Sequence, residues 1–310
     1  MKILVVGGAG YVGGGIVDDL SQYNEVTVYD SLIYETSYRK KVNFILGDIR
    51  DTKKLNNILK DFDVVVWLAA LVGDGACAIN PDLTNEINSE SVKNLVENFD
   101  KKIIFLSTCS VYGAQDGVLT ESSPTNPLSE YASSKLKAEE YLKDSNSLIF
   151  RLGTLFGISD EFSRVRLDLV VNILTAKALI DKKISVFGGE QWRPLLHVND
   201  VSNAISHCLK TDVSGIYNLH HKNYRIIDIA REIENKVKDV EVEVTPMSFE
   251  DARNYQVSSQ KLFDETGFDA SIELINGVNE IYELIFDNRI KDITDPRYSN
   301  QNFLKKFGVS

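Results

Sequence analysis

Apolar residues run unbroken from Ile3 to Val6, break into glycines between Gly7 and Gly14, and then resume with helical spacing. That order predicts a strand, a tight turn and a helix. Glu25 to Asp30 reads as a second apolar strand ending in a carboxylate, and Val42 to Leu46 as a third that closes on Gly47-Asp48-Ile49-Arg50. A short helix is expected over Lys53 to Lys60. Asp63 to Ala70 is so continuously apolar that it reads as a strand buried on both faces. After a loop over 71–81, Leu83, Ile87, Val92, Leu95 and Val96 mark one long helix from Asp82 to Phe99. Lys101 to Ser107, Leu128 to Asp144 and Ser147 to Leu152 then read as strand, helix and strand, with a loop containing Pro124 and Pro127 before the helix. Such β/α alternation predicts a parallel sheet covered on both faces.

Beyond Gly153 the pattern loosens. A helix is expected near Leu167 to Ile180 and a short strand over Ile184 to Phe187. Residues 196–210 and a strand over 215–219 read as a return to the first unit, and the remainder as mostly helical and charged. The predicted fold class is α/β, a Rossmann-type doubly wound parallel sheet with a smaller discontinuous α/β substrate domain. Its boundaries fall at 1–152 with about 195–219 for the first unit, and 153–194 with 220–310 for the second.

Composition narrows the function. The 310 residues carry 34 Lys and Arg against 45 Asp and Glu, a net charge of −11 without a basic block, which argues against a nucleic-acid partner. Cys77, Cys109 and Cys208 are odd in number and irregular in spacing, so neither a disulfide framework nor a zinc site is indicated, and the four histidines lack metal-ligand spacing. A reducing cytoplasm is expected. No apolar run is long enough to span a membrane or to serve as an export signal.

The glycines carry the first chemistry. Gly7, Gly10 and Gly13 stand three apart, so the backbone can turn sharply, approach a ligand closely and pack the new helix on the strand. The free N–H groups and positive dipole end at that helix start suit a pyrophosphate. Asp30 follows the middle glycine by about 20 residues, where a dinucleotide fold hydrogen-bonds the adenosine ribose. Its charge would repel a 2′-phosphate, which selects NAD over NADP. Further on, Tyr131 and Lys135 stand four apart on a predicted helix, so phenol and ammonium share one face.

Taken together, Gly7-x-x-Gly10-x-x-Gly13, Asp30, Asp48, Leu68-Ala-Ala70, Ser107-Thr-x-x-Val-Tyr-Gly113, Tyr131-x-x-x-Lys135 and Arg193-Pro-Leu-Leu-His-Val-x-Asp200 resemble the NAD-dependent epimerase/dehydratase family, extended short-chain dehydrogenases acting on nucleotide sugars. The likeness spans nearly the whole chain. It implies cofactor contacts at Gly7, Gly10, Tyr11, Val12, Gly13, Asp30, Asp48, Ile49, Leu68, Ala69, Ala70, Tyr131 and Lys135. Tyr131 would be the general base that removes a proton from a sugar hydroxyl as hydride leaves that carbon. A free phenol is a poor base at neutral pH, and Lys135 with the cationic nicotinamide would favour the phenolate. Thr108 would hydrogen-bond the reacting oxygen. Substrate contacts carry over to Thr154, Asn172, Arg193 and Arg253, the two arginines clamping the diphosphate. Arg164 and Arg166 fall in the region that shapes sugar specificity in the family, with a solvated charged face as the equal alternative. The helices near 82–99 and 128–144 resemble the pair that joins subunits in this family, which implies a homodimer.

Three departures matter. Family dehydratases place Asp-Glu directly after the catalytic Thr, whereas Cys109-Ser110 stand here, so dehydration is disfavoured. Many epimerases carry Asn where this chain has Thr154 and Asp where it has Tyr255. The expected reaction is NAD-dependent oxidation at C4 of a GDP- or UDP-linked hexose or heptose, as a 4-epimerase or 4-dehydrogenase, in surface-polysaccharide biosynthesis. A 4-keto reductase and a non-catalytic NAD-binding scaffold are the alternatives.

Overall fold

In the computed structural model, which describes residues 1–246 and 253–308, the chain alternates strand and helix from its start. Lys2–Val6 (β1), Gly13–Ser21 (α1), Glu25–Asp30 (β2), Asn43–Leu46 (β3), Thr52–Leu59 (α2) and Val64–Trp67 (β4) come first. The short Asp74–Cys77 (α3) and Pro81–Asn85 (α4) lead through a π-helical turn, Glu86–Glu90, into Ser91–Asn98 (α5). Then follow Lys102–Thr108 (β5), Ala114–Leu119 (β6), Glu130–Leu142 (α6), Ser147–Leu152 (β7), Thr154–Phe156 (β8), Val170–Ile180 (α7), Lys183–Phe187 (β9) and Trp192–His197 (β10). The last stretch holds Val198–Cys208 (α8), Gly215–Leu219 (β11), Lys222–Arg225 (β12), Ile226–Lys236 (α9), Glu241–Thr245 (β13), Asn254–Val257 (β14), Gln260–Thr266 (α10), Leu274–Phe286 (α11) and Asn300–Phe307 (α12).

Seven parallel strands form the main sheet in the order β11-β7-β5-β4-β1-β2-β3. The order reverses between β1 and β4, and that switch point opens a crevice at the carboxyl ends of the strands. Alternation along β1 divides the core: Ile3 and Val5 pack with α1 and α8 on one face, Leu4 and Val6 with α2, α5 and α6 on the other. Val64 to Trp67 are all buried, as the unbroken apolar run required. The sheet ends there rather than at Ala70, because Leu68 N and Ala69 N both donate to Val6 O and turn the chain over the glycine loop.

The expected single helix over 82–99 is interrupted. The π turn swings Asn88 inward, where it accepts from Leu71 N (2.8 Å) and donates to Leu71 O (2.9 Å) and Ser134 Oγ (3.0 Å). That pairing satisfies the buried Leu71 N–H, and the Leu71 carbonyl accepts from Cys77 Sγ as well (3.3 Å). The return to the sheet is as expected: α8 packs on α1, and β11 pairs with β7. His197 belongs to β10 and caps α8 by accepting from Asn199 N, so the helix starts at 198. Several elements were missed. The loop after Gly113 contains β6, and the stretch read as mostly helical contains β12, β13 and β14. These strands are short, and they pair only in a three-stranded sheet (β12-β10-β8) and two two-stranded ones (β13-β9, β14-β6), so their apolar alternation is too brief to register.

Candidate active site

The glycine turn is built by exclusion. Gly7 has φ +84°, and a Cβ there would stand 2.5 Å from Ala69 N; one on Gly13 would stand 2.4 Å from Gly8 O. Gly7 N donates to Tyr29 O, and the turn closes through Gly10 N to Gly7 O and Gly13 N to Gly10 O. Asp30 locks it from the next strand, its Oδ2 accepting from Ala9 N (2.9 Å) and its Oδ1 from Leu32 N (2.7 Å). Burial pushes this carboxyl up, and the backbone donors pull it back. Asp48 is held by Arg50 through paired hydrogen bonds, which keeps it below the usual carboxylate range.

One cleft gathers these groups. Gly7, Gly10, Tyr11, Val12, Gly13, Asp30, Asp48, Ile49, Leu68, Ala69, Ala70, Tyr131 and Lys135 all border it. A tight glycine turn in which Gly7 and Gly13 leave no room for a Cβ, with an acidic residue at the end of β2, fits a dinucleotide with its diphosphate on the turn. NAD would be held there by the glycine-turn amides, Asp30 and Lys135.

The α6 helix brings Tyr131 and Lys135 to the cleft. Ser129 caps it by accepting from Ala132 N, and Tyr131, Lys135 and Glu139 then follow on one face. Lys135 is 3 % exposed, with Nζ 4.3 Å from the centre of the Phe105 ring. Burial lowers its pKa to about 8, with Cys77 and Glu139 pulling the other way. The Tyr131 phenol is pushed up chiefly by burial, while Arg166 and a hydrogen bond with Thr108 draw it down. Cys77 also acts to raise Tyr131, but its own thiol is pushed up to about 12 and is neutral at pH 7. Thr108 Oγ1 accepts from Ser110 N (3.1 Å), which orients the hydroxyl at the end of β5.

Behind Lys135 lies a pair that sequence reading passed over. Glu139 and Arg151 are both buried and meet at 2.6 Å; Ser107 Oγ donates to the same carboxylate, and Arg151 reaches Tyr112 Oη at 3.0 Å. The available signal was a carboxylate four residues after Lys135 on the inward helix face.

The expected substrate contacts Thr154, Asn172, Arg193 and Arg253 are not among the residues that border this cleft; Arg193 is buried and donates to Trp192 O (2.8 Å) and to Arg253 O. Arg253 in turn lies 3.4 Å from Asp74, which accepts from Ser129 Oγ (2.7 Å), so both arginines connect to the start of α6. Thr154 is half-buried at the start of β8. Asn172 is fully buried, accepting from Gly157 N (3.0 Å) and donating to Arg166 O (2.8 Å), which gives it a tethering place behind the 157–168 loop. Tyr255 Oη lies 3.3 Å from Ser110 Oγ. His197 is buried, and its Nε2 lies 3.0 Å from Glu280 Oε2, a structural pairing. All three cysteines are buried, and no cluster of metal-ligating residues occurs among the described residues.

A switch-point crevice, a glycine turn with an acid at the end of β2, and a Tyr/Lys pair with a neighbouring threonine define an NAD-dependent short-chain dehydrogenase type of enzyme. The chain belongs to the NAD dependent epimerase/dehydratase family, which it matches over residues 3–220. It is 34 % identical to a putative UDP-glucose 4-epimerase of Methanocaldococcus jannaschii, over 65 % of this chain and 71 % of that protein. The UDP-glucose 4-epimerase of Thermus thermophilus, solved with NAD, is 25 % identical with a TM-score of 0.79, covering 91 % of this chain and 98 % of that one. The UDP-glucuronic acid 4-epimerase of Bacillus cereus, solved with UDP-glucuronic acid and NAD, is 26 % identical with a TM-score of 0.80, covering 93 % and 100 %. No helix among the described residues is long and apolar enough to cross a membrane.

Proposed function

We propose that the chain is a 4-epimerase of a nucleotide-diphosphate sugar, a GDP- or UDP-linked hexose or heptose, serving surface-polysaccharide biosynthesis in the cytoplasm. The observation that carries it is that Tyr131 and Lys135 line the same cleft as the glycine turn, with Thr108 hydrogen-bonded to Tyr131, supported by relatives named as 4-epimerases. NAD, when bound, supplies the hydride acceptor. Tyr131 Oη takes the proton from the C4 hydroxyl, Thr108 Oγ1 hydrogen-bonds that oxygen, and Lys135 favours the phenolate through its charge. The missing acid and base after Thr108 leave no group placed to expel water, and the relatives named as 4-epimerases favour re-reduction of the keto sugar over its release. Arg193 and Arg253 hold the diphosphate, Thr154 meets the sugar, and Asn172 keeps the loop behind them in place. Residues 1–152 with about 195–219 bind the cofactor, residues 153–194 and 220–310 the nucleotide sugar, and α4–α6 form a homodimer face.

The test is incubation with UDP- and GDP-linked sugars, following product by NMR and NADH by absorbance. The epimer should accumulate while NADH does not, and Tyr131→Phe should lose at least about 100-fold in kcat, the scale of a general base. NADH formed in step with substrate would make the enzyme a 4-dehydrogenase. Turnover unchanged in Tyr131→Phe would mean the catalytic assignment is wrong.

A further inference from the structure

The α1 helix opens with three consecutive glycines, and only Gly13 is explained by the turn itself. A Cβ on Gly14 would overlap Asp160 Oδ2 at 1.4 Å, and one on Gly15 would stand 3.0 Å from Asn199 Oδ1 and 3.1 Å from Ser159 Oγ. Gly15 N donates to Ser159 Oγ at 2.8 Å. The loop after β8 is therefore seated directly on the first turn of α1, and the residues that follow it are carried across the glycine turn.

Those residues include Arg164 and Arg166, each 8 % exposed and both bordering the cofactor cleft. Arg166 is paired with Asp168 at 2.9 Å. Arg164 is held on two sides: Nε donates to Arg297 O (3.0 Å) and Nη1 to Asn300 Oδ1, while its guanidinium carbon lies 4.1 Å from the Tyr34 ring centre. Its Nη2 is buried with no partner, and so is Tyr34 Oη. Arg164 and Tyr34 also border a second cavity that shares Ala9 and Gly10 of the glycine turn. Two orphaned donors thus stand at the edge where the cofactor's diphosphate must lie. Leaving a charged donor buried and unpaired is costly unless a ligand completes it.

We propose that Arg164, with Tyr34 beside it, is a diphosphate ligand of NAD, so that the pyrophosphate is gripped between the glycine-turn amides and a guanidinium brought by the 157–168 loop. The electrostatics agree: burial, and after it the neighbouring Arg166, lower the Arg164 pKa to about 10, both of which an anion beside the guanidinium would offset. Glu35 borders the same edge, but burial raises its carboxyl and weakens its competing charge at lower pH. Because the planar guanidinium can donate two parallel bonds, it suits a diphosphate better than a lysine would. The assignment needs only the cofactor and is independent of which sugar is turned over.

The test is calorimetric titration of cofactor-stripped protein with NAD, ADP-ribose, AMP, UDP and GDP, for wild type, Arg164→Gln, Arg164→Lys and Tyr34→Phe. Arg164→Gln should weaken NAD and ADP-ribose by about 10- to 100-fold, the loss expected of a charged hydrogen bond. AMP, UDP and GDP should change by less than about threefold, with Arg164→Lys intermediate and Tyr34→Phe losing less than Arg164→Gln. The amount of NAD that survives desalting should fall in the same order. NAD affinity within twofold of wild type overturns the proposal. So does an equal loss for AMP, which would mean a misfolded cleft, or a loss for UDP or GDP alone, which would make Arg164 a substrate ligand.

Discussion

Lys135 shows what burying a single ammonium costs the fold. Its folded pKa of about 8 lies below the ordinary 10.5, so the protein must bury a charged ammonium at neutral pH. A lysine depressed in the folded state penalises folding below about pH 8, and the penalty fades as pH rises to the unfolded value. A difference of that size corresponds to on the order of 3 kcal/mol. Lys135→Met should therefore unfold at a higher temperature than wild type at pH 7, with the gap closing toward pH 10.5. Melting curves across that range check it, and a variant less stable than wild type at pH 7 would show that the Phe105 contact and Glu139 outweigh burial. Tyr131 and Lys135 were legible as a pair from their spacing. Their electrostatic setting was not, since Phe105, Cys77 and Arg166 come from other elements.

At the scale of elements, the start of α1 separates local preference from docking. On a free helix Gly14→Ala would add up to about 1 kcal/mol of stability. Here the new methyl meets Asp160 and comes within 3.2 Å of Ser163 Cβ, and the Asp160 side chain is 8 % exposed and 3.2 Å from Lys40, so it cannot simply swing away. Gly14→Ala should lower stability by roughly 1–3 kcal/mol, the range for overpacking. Urea unfolding measures it, and a gain in stability would show that the 157–164 loop does not bear on α1. The π turn at Glu86–Glu90 carries a similar lesson. Apolar spacing marked a helix over 82–99, but the extra residue per turn answers to Leu71 and Ser134, which lie elsewhere in the chain.

Over the whole molecule, three segments distant in sequence converge on one cleft: the glycine turn, the 157–168 loop and the start of α12. Asn300 N donates to Asp168 Oδ2 (2.8 Å) and Asn300 Nδ2 to Val72 O (2.8 Å), while its Oδ1 holds Arg164. Leu304 on the same helix packs into the core shared with β1 and β4. With NAD present, a thermal-shift panel of UDP, GDP, dTDP and CDP should single out one nucleotide. A ligand at about 100 times its dissociation constant stabilises by about 2.7 kcal/mol, enough to move the melting curve visibly. If NAD shifts the curve and none of the four nucleotides does, the nucleotide-sugar assignment fails while the dinucleotide site stands.

The sequence by itself determined the parallel sheet and the cofactor class, because strand burial, the glycine spacing and Asp30 are local or depend on one long-range pairing between neighbouring strands. It also marked Thr108, Tyr131 and Lys135, whose meaning rests on order along the chain. Tertiary structure decided the rest. The short strands that complete the smaller sheets have too few residues for a period to show. The Glu139–Arg151 pair and the placement of Arg164 against Tyr34 and Asn300 join residues 12, 130 and 136 positions apart. From sequence, Arg164 could be placed only in a specificity region or on a solvated face; folding revealed that it is buried, held on two sides and left with one donor open.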